Sequence, residues 1–279
     1  MIPSSPYRSG PVDVRFEYQA ARKETRHLIV IFTSIRKSNA LLDFLHDKPL
    51  LKHNRAHLLW IYDDFDADYS YYACRNREFD IESGVTALVE VFKEALGLAD
   101  DECTTAGMSK GASAAIRIGI KANCGNIVAS SPQIAIGTYL KNRKRFPIIE
   151  HMAGSAEPSD VEWLNDLVPQ AIRSDERKER HMYLLTSPYD PHCIDYLEPL
   201  QQSLNRYTNF NLISTASNLA RNHAETLQYN VPLMVSILGI LSEGLHPAFG
   251  ATSNGHGFDG SGHRDRHLLL AKKFGGIFL

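Results

Sequence analysis

Cysteine is scarce in this chain: Cys74, Cys103, Cys124 and Cys193 are its 4 cysteines in 279 residues, and none of them forms a C-x-x-C pair. That spacing excludes a zinc ribbon or a dithiol redox motif, and it suits a reducing compartment where each thiol is a small apolar filler. Long apolar runs are lacking too, since no stretch approaches the ~20 residues needed to span a bilayer. The opening residues 1–10 carry Pro3, Pro6 and Arg8 but no apolar segment of the kind a secretory signal requires. Neither sign of charge is in excess: the formal net charge is -2, which gives no electrostatic case for nucleic acid or an anionic membrane. At the 107–111 turn neither phosphate-cradling pattern, G-x-x-x-x-G-K-[ST] or G-x-G-x-x-G, is found. The expectation is a cytoplasmic protein with no nucleic-acid partner and no stable membrane insertion; its oligomeric state is left open.

What is present is an ordinary globular mix, 43% hydrophobic and 22% charged, in a chain long enough to bury a large core. Near-continuous apolar runs at 27–32 and 56–62 suit strands covered on both faces. Further strands are predicted at 12–18 (half exposed), 103–106, 126–129, 181–186 and 210–214. Segments of helical period lie between them: a short one at 40–51, a strongly amphipathic one at 83–98, then 110–121, a less regular stretch at 134–173, and 193–207. A long apolar helix at 223–241 closes the pattern. Such alternation predicts an α/β protein with a mostly parallel central sheet and helices on both faces. A folded unit is expected over 1–245. The Gly-, Ser- and His-rich stretch 246–279 is expected to be a flexible tail, although its apolar residues 268–270 and 274–279 could dock.

The strand at 103–106 runs into Gly107-Met108-Ser109-Lys110-Gly111, followed by the small residues Ala112, Ser113, Ala114 and Ala115. A nucleophile elbow needs this context: a sharp strand-to-helix turn with a strained serine, and glycines on either side where chains pass closely. The motif in its setting predicts the α/β-hydrolase fold with Ser109 as nucleophile. The Lys110 backbone N–H is placed to donate to an oxyanion, and the second donor is expected just after the 27–32 strand, at Thr33 or Ser34. A serine needs a base oriented by an acid, and in this fold the chain order is Ser, Asp or Glu, His. Asp190 sits at the tip of the turn after the 181–186 strand, with Asp195 and Glu198 as weaker alternatives inside the next helical segment. His223 follows the 210–214 strand and precedes the closing helix, which makes it the candidate base. His192 is too close to Asp190 in sequence, and His246 falls after the helix. This chemistry calls for no metal and no organic cofactor.

Three segments carry a more specific resemblance: Asp66-Ala67-Asp68-Tyr69-Ser70-Tyr71-Tyr72, Gly107 through Ala115, and Ala129-Ser130-Ser131-Pro132-Gln133-Ile134-Ala135-Ile136-Gly137. Over roughly residues 25 to 240 the chain resembles the XcbB/CpsF family of capsular polysaccharide biosynthesis proteins. It is more distantly similar to the acetyltransferase component of the accessory secretory system. Where relatives often have Gly-Gly after the elbow lysine, this chain has Gly111-Ala112, and the tail has no counterpart. The resemblance implies a cytoplasmic bacterial protein that modifies surface glycans or glycoproteins by O-acyl transfer or removal, with a small-molecule or glycan acyl substrate. Tyr71 and Tyr72, with Gln133 and Tyr139 as similar cases, are expected to line the substrate pocket, and Arg75 or Arg77 to anchor a charged group. Two other readings stay open: a non-catalytic scaffold of a glycan-assembly complex, and a thioesterase or acyltransferase of secondary metabolism. The basic run Lys141-Asn142-Arg143-Lys144-Arg145 would suit the carrier protein of the latter.

Overall fold

The computed structural model describes residues 2–46, 48–66, 69–217, 219–254 and 272–275. Its strands are β1 Tyr7–Ser9, β2 Val12–Val14, β3 Phe16–Gln19, β4 Leu28–Phe32, β5 His57–Ile61, β6 Cys103–Met108, β7 Asn126–Ser130, β8 His181–Thr186, β9 Asn209–Thr215 and β10 Ala251–Asn254. The helices are α1 Asp80–Leu96, α2 Lys110–Lys121, α3 Ile136–Asn142, α4 Phe146–Ala153, α5 Pro158–Ser174, α6 Pro191–Ile194, α7 Gln201–Leu204 and α8 His223–Leu241. Eight strands form one sheet in the order β10-β9-β8-β7-β6-β4-β5-β3. All neighbours run parallel except β3, which pairs antiparallel to β5 at the edge.

The apolar runs behave as their composition requires. Every residue of β4, β6 and β7 is buried, because helices cover both faces of the sheet. Leu28, Val30 and Phe32 turn to one face, where α1 and the small residues Ala114 and Ala115 of α2 pack. Farther along that face, α3 to α5 cover Ile127, Ala129, Met182 and Leu184. Ile29, Ile31, Ala106, Met108 and Val128 turn to the opposite face, under Met234, Ile237, Leu238 and Leu241 of α8. α1 ends as its sequence dictates, at Gly97 with φ of 63°, a left-handed cap that returns N–H groups to the Glu94 and Lys93 carbonyls. Among the described residues, no helix is long and apolar enough to cross a membrane.

Several local expectations are corrected. The strand at 12–18 is two strands: β2 pairs with β1 in a separate hairpin, and only β3 joins the main sheet. Residues 40–46 and 48–51 form turns and irregular chain, with Phe44 at a φ of 62° that no helix tolerates. The helix expected at 193–207 is broken into α6, a 3-10 turn at Glu198–Leu200, and α7; Pro199 lacks the N–H that helix continuation needs. The end of the folded unit at 245 is too early. β10 extends the sheet beyond β9, and Phe274 packs on Phe210 with ring centroids 5.1 Å apart. The rest of that stretch, 255–271 and 276–279, where flexibility was expected, lies outside the described residues. Cys103 and Cys124, remote in sequence, bring their Sγ atoms within 3.2 Å of each other in the core.

Candidate active site at the elbow after β6

Parallel strands bring their C-terminal ends to one edge of the sheet, and the loops after β6, β8 and β9 meet there. Ser109 sits between β6 and α2 with φ 54° and ψ -118°, a conformation that costs a non-glycine residue of order 1–3 kcal/mol. The flanking glycines show why the turn has this sequence. A Cβ on Gly107 would lie 2.2 Å from the Gly111 carbonyl carbon and oxygen, and one on Gly111 would lie 2.2 Å from the Phe32 oxygen. Both collisions are with backbone, so neither can be relieved by a rotamer change. The Ser109 N–H donates to the Ser130 carbonyl at 2.9 Å, which ties the elbow to the end of β7.

Ser109 Oγ is 2.8 Å from His223 Nε2. On the far side of the ring, His223 Nδ1 lies 3.0 Å and 2.9 Å from the two carboxylate oxygens of Asp190. With Nδ1–H directed at the carboxylate, Nε2 is the basic nitrogen and accepts the serine proton. Asp190 is fully buried at the start of the short α6, where its main-chain carbonyl accepts the Cys193 and Ile194 N–H groups and leaves the carboxylate for His223. His223 opens α8, whose first turn is held by the Asn222 side chain accepting the Glu225 N–H at 3.1 Å. The Glu225 carboxylate in turn accepts the Arg221 N–H at 2.7 Å. The three residues selected by motif and chain order thus form one continuous hydrogen-bonded line. His192 packs edge-on to His223 with centroids 5.5 Å apart. Burial and the neighbouring His223 lower its pKa, so it stays neutral at neutral pH.

The other expected site residues fall differently. Lys110 opens α2, where the first N–H groups have no acceptor within the helix, as an oxyanion donor requires. Its side chain turns away into the core and pairs with Asp63 at 2.6 Å, both groups fully buried. The Thr33 and Ser34 N–H groups, expected as the second donor, are both engaged: the Thr33 N–H donates to the Tyr72 hydroxyl at 3.1 Å and the Ser34 N–H to the Asp43 carboxylate at 2.8 Å. Tyr71 and Tyr72, expected at a pocket wall, are buried in the core. Consecutive left-handed conformations, with φ of 56° and 55°, turn both rings inward, where they are 1% and 0% exposed. Burial raises both phenol pKa values, so each stays a neutral hydroxyl. Tyr72 donates to the Ile61 carbonyl at 2.8 Å, and Tyr71 donates to Gln133 Oε1. Gln133 itself is buried against the serine, its Nε2 donating to Ser109 Oγ at 2.7 Å. Arg75 pairs with Asp66 and Asp80, and Arg77 with Asp160, so both guanidiniums are already engaged.

Asp63 was not foreseen. It follows β5 and accepts the Ser70 hydroxyl at 2.6 Å and the Ser70 and Tyr71 N–H groups at 3.1 Å each, besides Lys110. The usable signal was an acidic residue at the end of a buried strand, just ahead of a tyrosine-rich loop. A cavity of about 570 Å³ adjoins the site, bounded by Met108 and Ala224, the chain neighbours of Ser109 and His223. Phe44, Leu227 and Val231 give it apolar walls, and Lys48 stands on its lining. A second cavity of about 490 Å³, lined by His27, Glu102 and His246 among others, lies at the other end of the strands and is not part of this site. The basic run 141–145 is exposed where α3 ends, and the Arg143 guanidinium lies 5.8 Å from the centre of the Tyr139 ring.

The sheet order, the elbow and the helices on both faces define the α/β-hydrolase fold. Among solved structures, the chain is similar to the glycosylation-associated protein (Gap123) complex of Streptococcus agalactiae, at 15% identity and a TM-score of 0.68. That match covers 80% of this chain but 43% of the other, so this chain spans less than half of that relative's length. The capsule O-acetyltransferase of Neisseria meningitidis serogroup A matches at 19% identity and a TM-score of 0.63, over 81% of this chain and 90% of that one. The hyperthermophilic esterase of the archaeon Pyrobaculum calidifontis matches at 13% identity and a TM-score of 0.52, over 84% and 83% of the two chains. No family model and no curated protein sequence matches the chain.

Proposed function

We propose that this protein is a serine-dependent O-acyltransferase acting on a bacterial surface glycan or its precursor, with Ser109 as nucleophile, His223 as base and Asp190 as orienting acid. The observation that carries this reading is the unbroken line from Ser109 Oγ through His223 to the Asp190 carboxylate, at 2.8 Å and 2.9 Å. His223 takes the Ser109 proton as Oγ attacks the acyl carbonyl, and the resulting oxyanion lies beside the Lys110 N–H at the start of α2. Collapse expels the donor's thiol or alcohol, which leaves with the proton from His223. A glycan hydroxyl then gives its proton to His223 and attacks the acyl-serine, and collapse of the second tetrahedral state frees Ser109, whose Oγ takes that proton back from His223. Asp190 holds the ring tautomer and stabilises the imidazolium in both halves. Neither step needs a metal or organic cofactor.

Glycan acylation is favoured over simple ester hydrolysis by the resemblance to the XcbB/CpsF proteins and by the fold shared with a capsule O-acetyltransferase. Since both halves use one intermediate, the exclusion of water decides between them, and Ser109 and His223 are only 4% and 6% exposed. The Neisseria enzyme has also been captured with CoA, at a TM-score of 0.61 to this chain, which makes an acyl-CoA the first donor to try. The reaction is assigned to the cytoplasm, where such donors are made. Likeness to one chain of the Gap123 complex favours a second reading, in which the chain is a subunit that keeps the elbow as architecture.

The two readings separate on intact-protein mass spectrometry after fluorophosphonate treatment. Wild type gains one adduct, and Ser109→Ala and His223→Ala gain none. Well-folded wild type that stays unlabelled would move the assignment to the scaffold reading.

A further inference from the structure

With the Thr33 and Ser34 N–H groups both committed elsewhere, the Lys110 N–H is the one of the three expected donors left to face the oxyanion. A single donor is an incomplete site for acyl transfer, where developing negative charge is normally met by two. A side-chain donor does stand at the nucleophile. Gln133 is fully buried, and its Nε2 lies 2.7 Å from Ser109 Oγ. Because the serine hydroxyl has one proton and gives it to His223, the Gln133 N–H must be the donor at Oγ.

We propose that the Gln133 amide is the second charge-stabilising donor of the site, acting on Ser109 Oγ as it loses its proton and on the oxyanion formed next to it. Tyr71 is its positioning residue. This inference rests on the Ser109 mechanism above.

The bonds around Gln133 in the fold, on its side chain and its main chain, support that assignment. Oε1 accepts from the Tyr71 hydroxyl, which fixes which end of the amide faces the serine. The Gln133 main-chain carbonyl accepts the Ser113 hydroxyl of α2 at 2.9 Å. Tyr71 is held by its own N–H, which donates to Asp63, and Asp63 is ion-paired with the side chain of Lys110, the residue that follows the nucleophile. The network therefore starts and ends at the elbow and passes through no exposed group. An amide fixed this way pays little reorganisation when charge appears, which is the condition for electrostatic stabilisation to raise a rate. A purely structural glutamine would need its bonds to Tyr71 and Ser113, but it would have no reason to aim a donor at the nucleophile.

The test follows fluorophosphonate labelling rates and p-nitrophenyl acetate turnover from pH 5 to 9, in wild type, Gln133→Ala, Gln133→Glu, Tyr71→Phe and the Tyr71→Phe/Gln133→Ala pair. Gln133→Ala is expected to slow acylation by roughly 10²–10³-fold, as for loss of one oxyanion donor, mainly in kcat. Gln133→Glu keeps the volume and the Tyr71 bond but offers a proton only when its carboxyl is protonated. Its rate relative to wild type should be lowest at high pH and should climb as pH falls. Tyr71→Phe should cost roughly tenfold in the wild-type background and nothing further once Gln133 is alanine, because the two act as one unit. Gln133→Glu at the wild-type rate across the pH range overturns the proposal and leaves the Ser109 mechanism standing, as does full additivity of Tyr71→Phe with Gln133→Ala. Wild type that never labels overturns both.

Discussion

Replacing Lys110 by methionine tests whether the buried ion pair is a structural anchor of the elbow. Lys110 Nζ lies 2.6 Å from Asp63 Oδ2, with both side chains fully buried. It also lies 4.4 Å and 4.7 Å from the ring centres of Tyr72 and Tyr69. Burial pulls the lysine pKa below its ordinary value, and the Asp63 charge opposes that pull. Methionine fills a similar volume and removes the charge, so Asp63 keeps its Ser70 and Tyr71 donors but loses its counter-ion. Breaking a buried pair from one side costs about 3–5 kcal/mol, because the remaining charge is stranded. For a chain of 279 residues that corresponds to a fall in melting temperature of about 5–9 °C. The double variant Lys110→Met/Asp63→Asn removes both charges and should recover most of the loss. Urea unfolding of wild type, both single variants and the double variant gives the coupling directly. A Lys110→Met protein within about 0.5 kcal/mol of wild type would refute the reasoning, since surface-like substitutions fall in that range. So would a double variant no better than the sum of its parts.

Gly111→Ala places a Cβ 2.2 Å from the Phe32 oxygen and should cost roughly 3 kcal/mol or prevent soluble expression. Gly239→Ala in α8, with nothing within 4 Å, should gain about 0.5–1 kcal/mol from helix propensity, and denaturant midpoints compare the two. His27 is buried, which lowers its pKa to about 4 from 6.5, helped by His246 and opposed by Glu102. The unfolded chain then binds a proton that the folded one refuses. Its contribution to stability is complete above pH 6.5 and is lost as pH falls towards 4, by about 3 kcal/mol at most. Unfolding His27→Gln and wild type at pH 4.5 and 7.5 should show a shallower pH dependence in the variant, and equal slopes would count against this account.

Much of this architecture is written locally in the sequence. A short, β-branched and wholly apolar run such as Leu28–Phe32 suits a strand covered on both faces, and Gly107 and Gly111 are required by contacts within one turn and its neighbouring strand. Chain order pointed to Asp190 and His223, and the structure brings both side chains into line with Ser109 because the fold fixes which strand ends meet. What escaped notice depends on partners distant in sequence. β10 lies in a Gly- and Ser-rich stretch with little to bury, yet its approach is set by Asn211, whose Oδ1 accepts the Phe249 and Gly250 N–H groups at 2.5 Å and 3.1 Å. Strand pairing at an edge uses backbone atoms that every residue has, so composition gives it no signature.

The oxyanion donors show the same limit more sharply. A backbone N–H after β4 was a sound expectation, but whether it is free depends on what reaches it. For Thr33 that is the Tyr72 hydroxyl, from 39 residues away, and for Ser34 it is the Asp43 carboxylate. The same left-handed turn that sends Tyr72 to Thr33 sends Tyr71 to Gln133. One local backbone feature therefore occupies the backbone donor expected after β4 and orders the amide that stands against the nucleophile. The tyrosine pair and the glutamine can then be read as one substitution of a side-chain donor for a backbone donor. Asp63 and Lys110 have the matching role of holding that turn in place from the elbow itself.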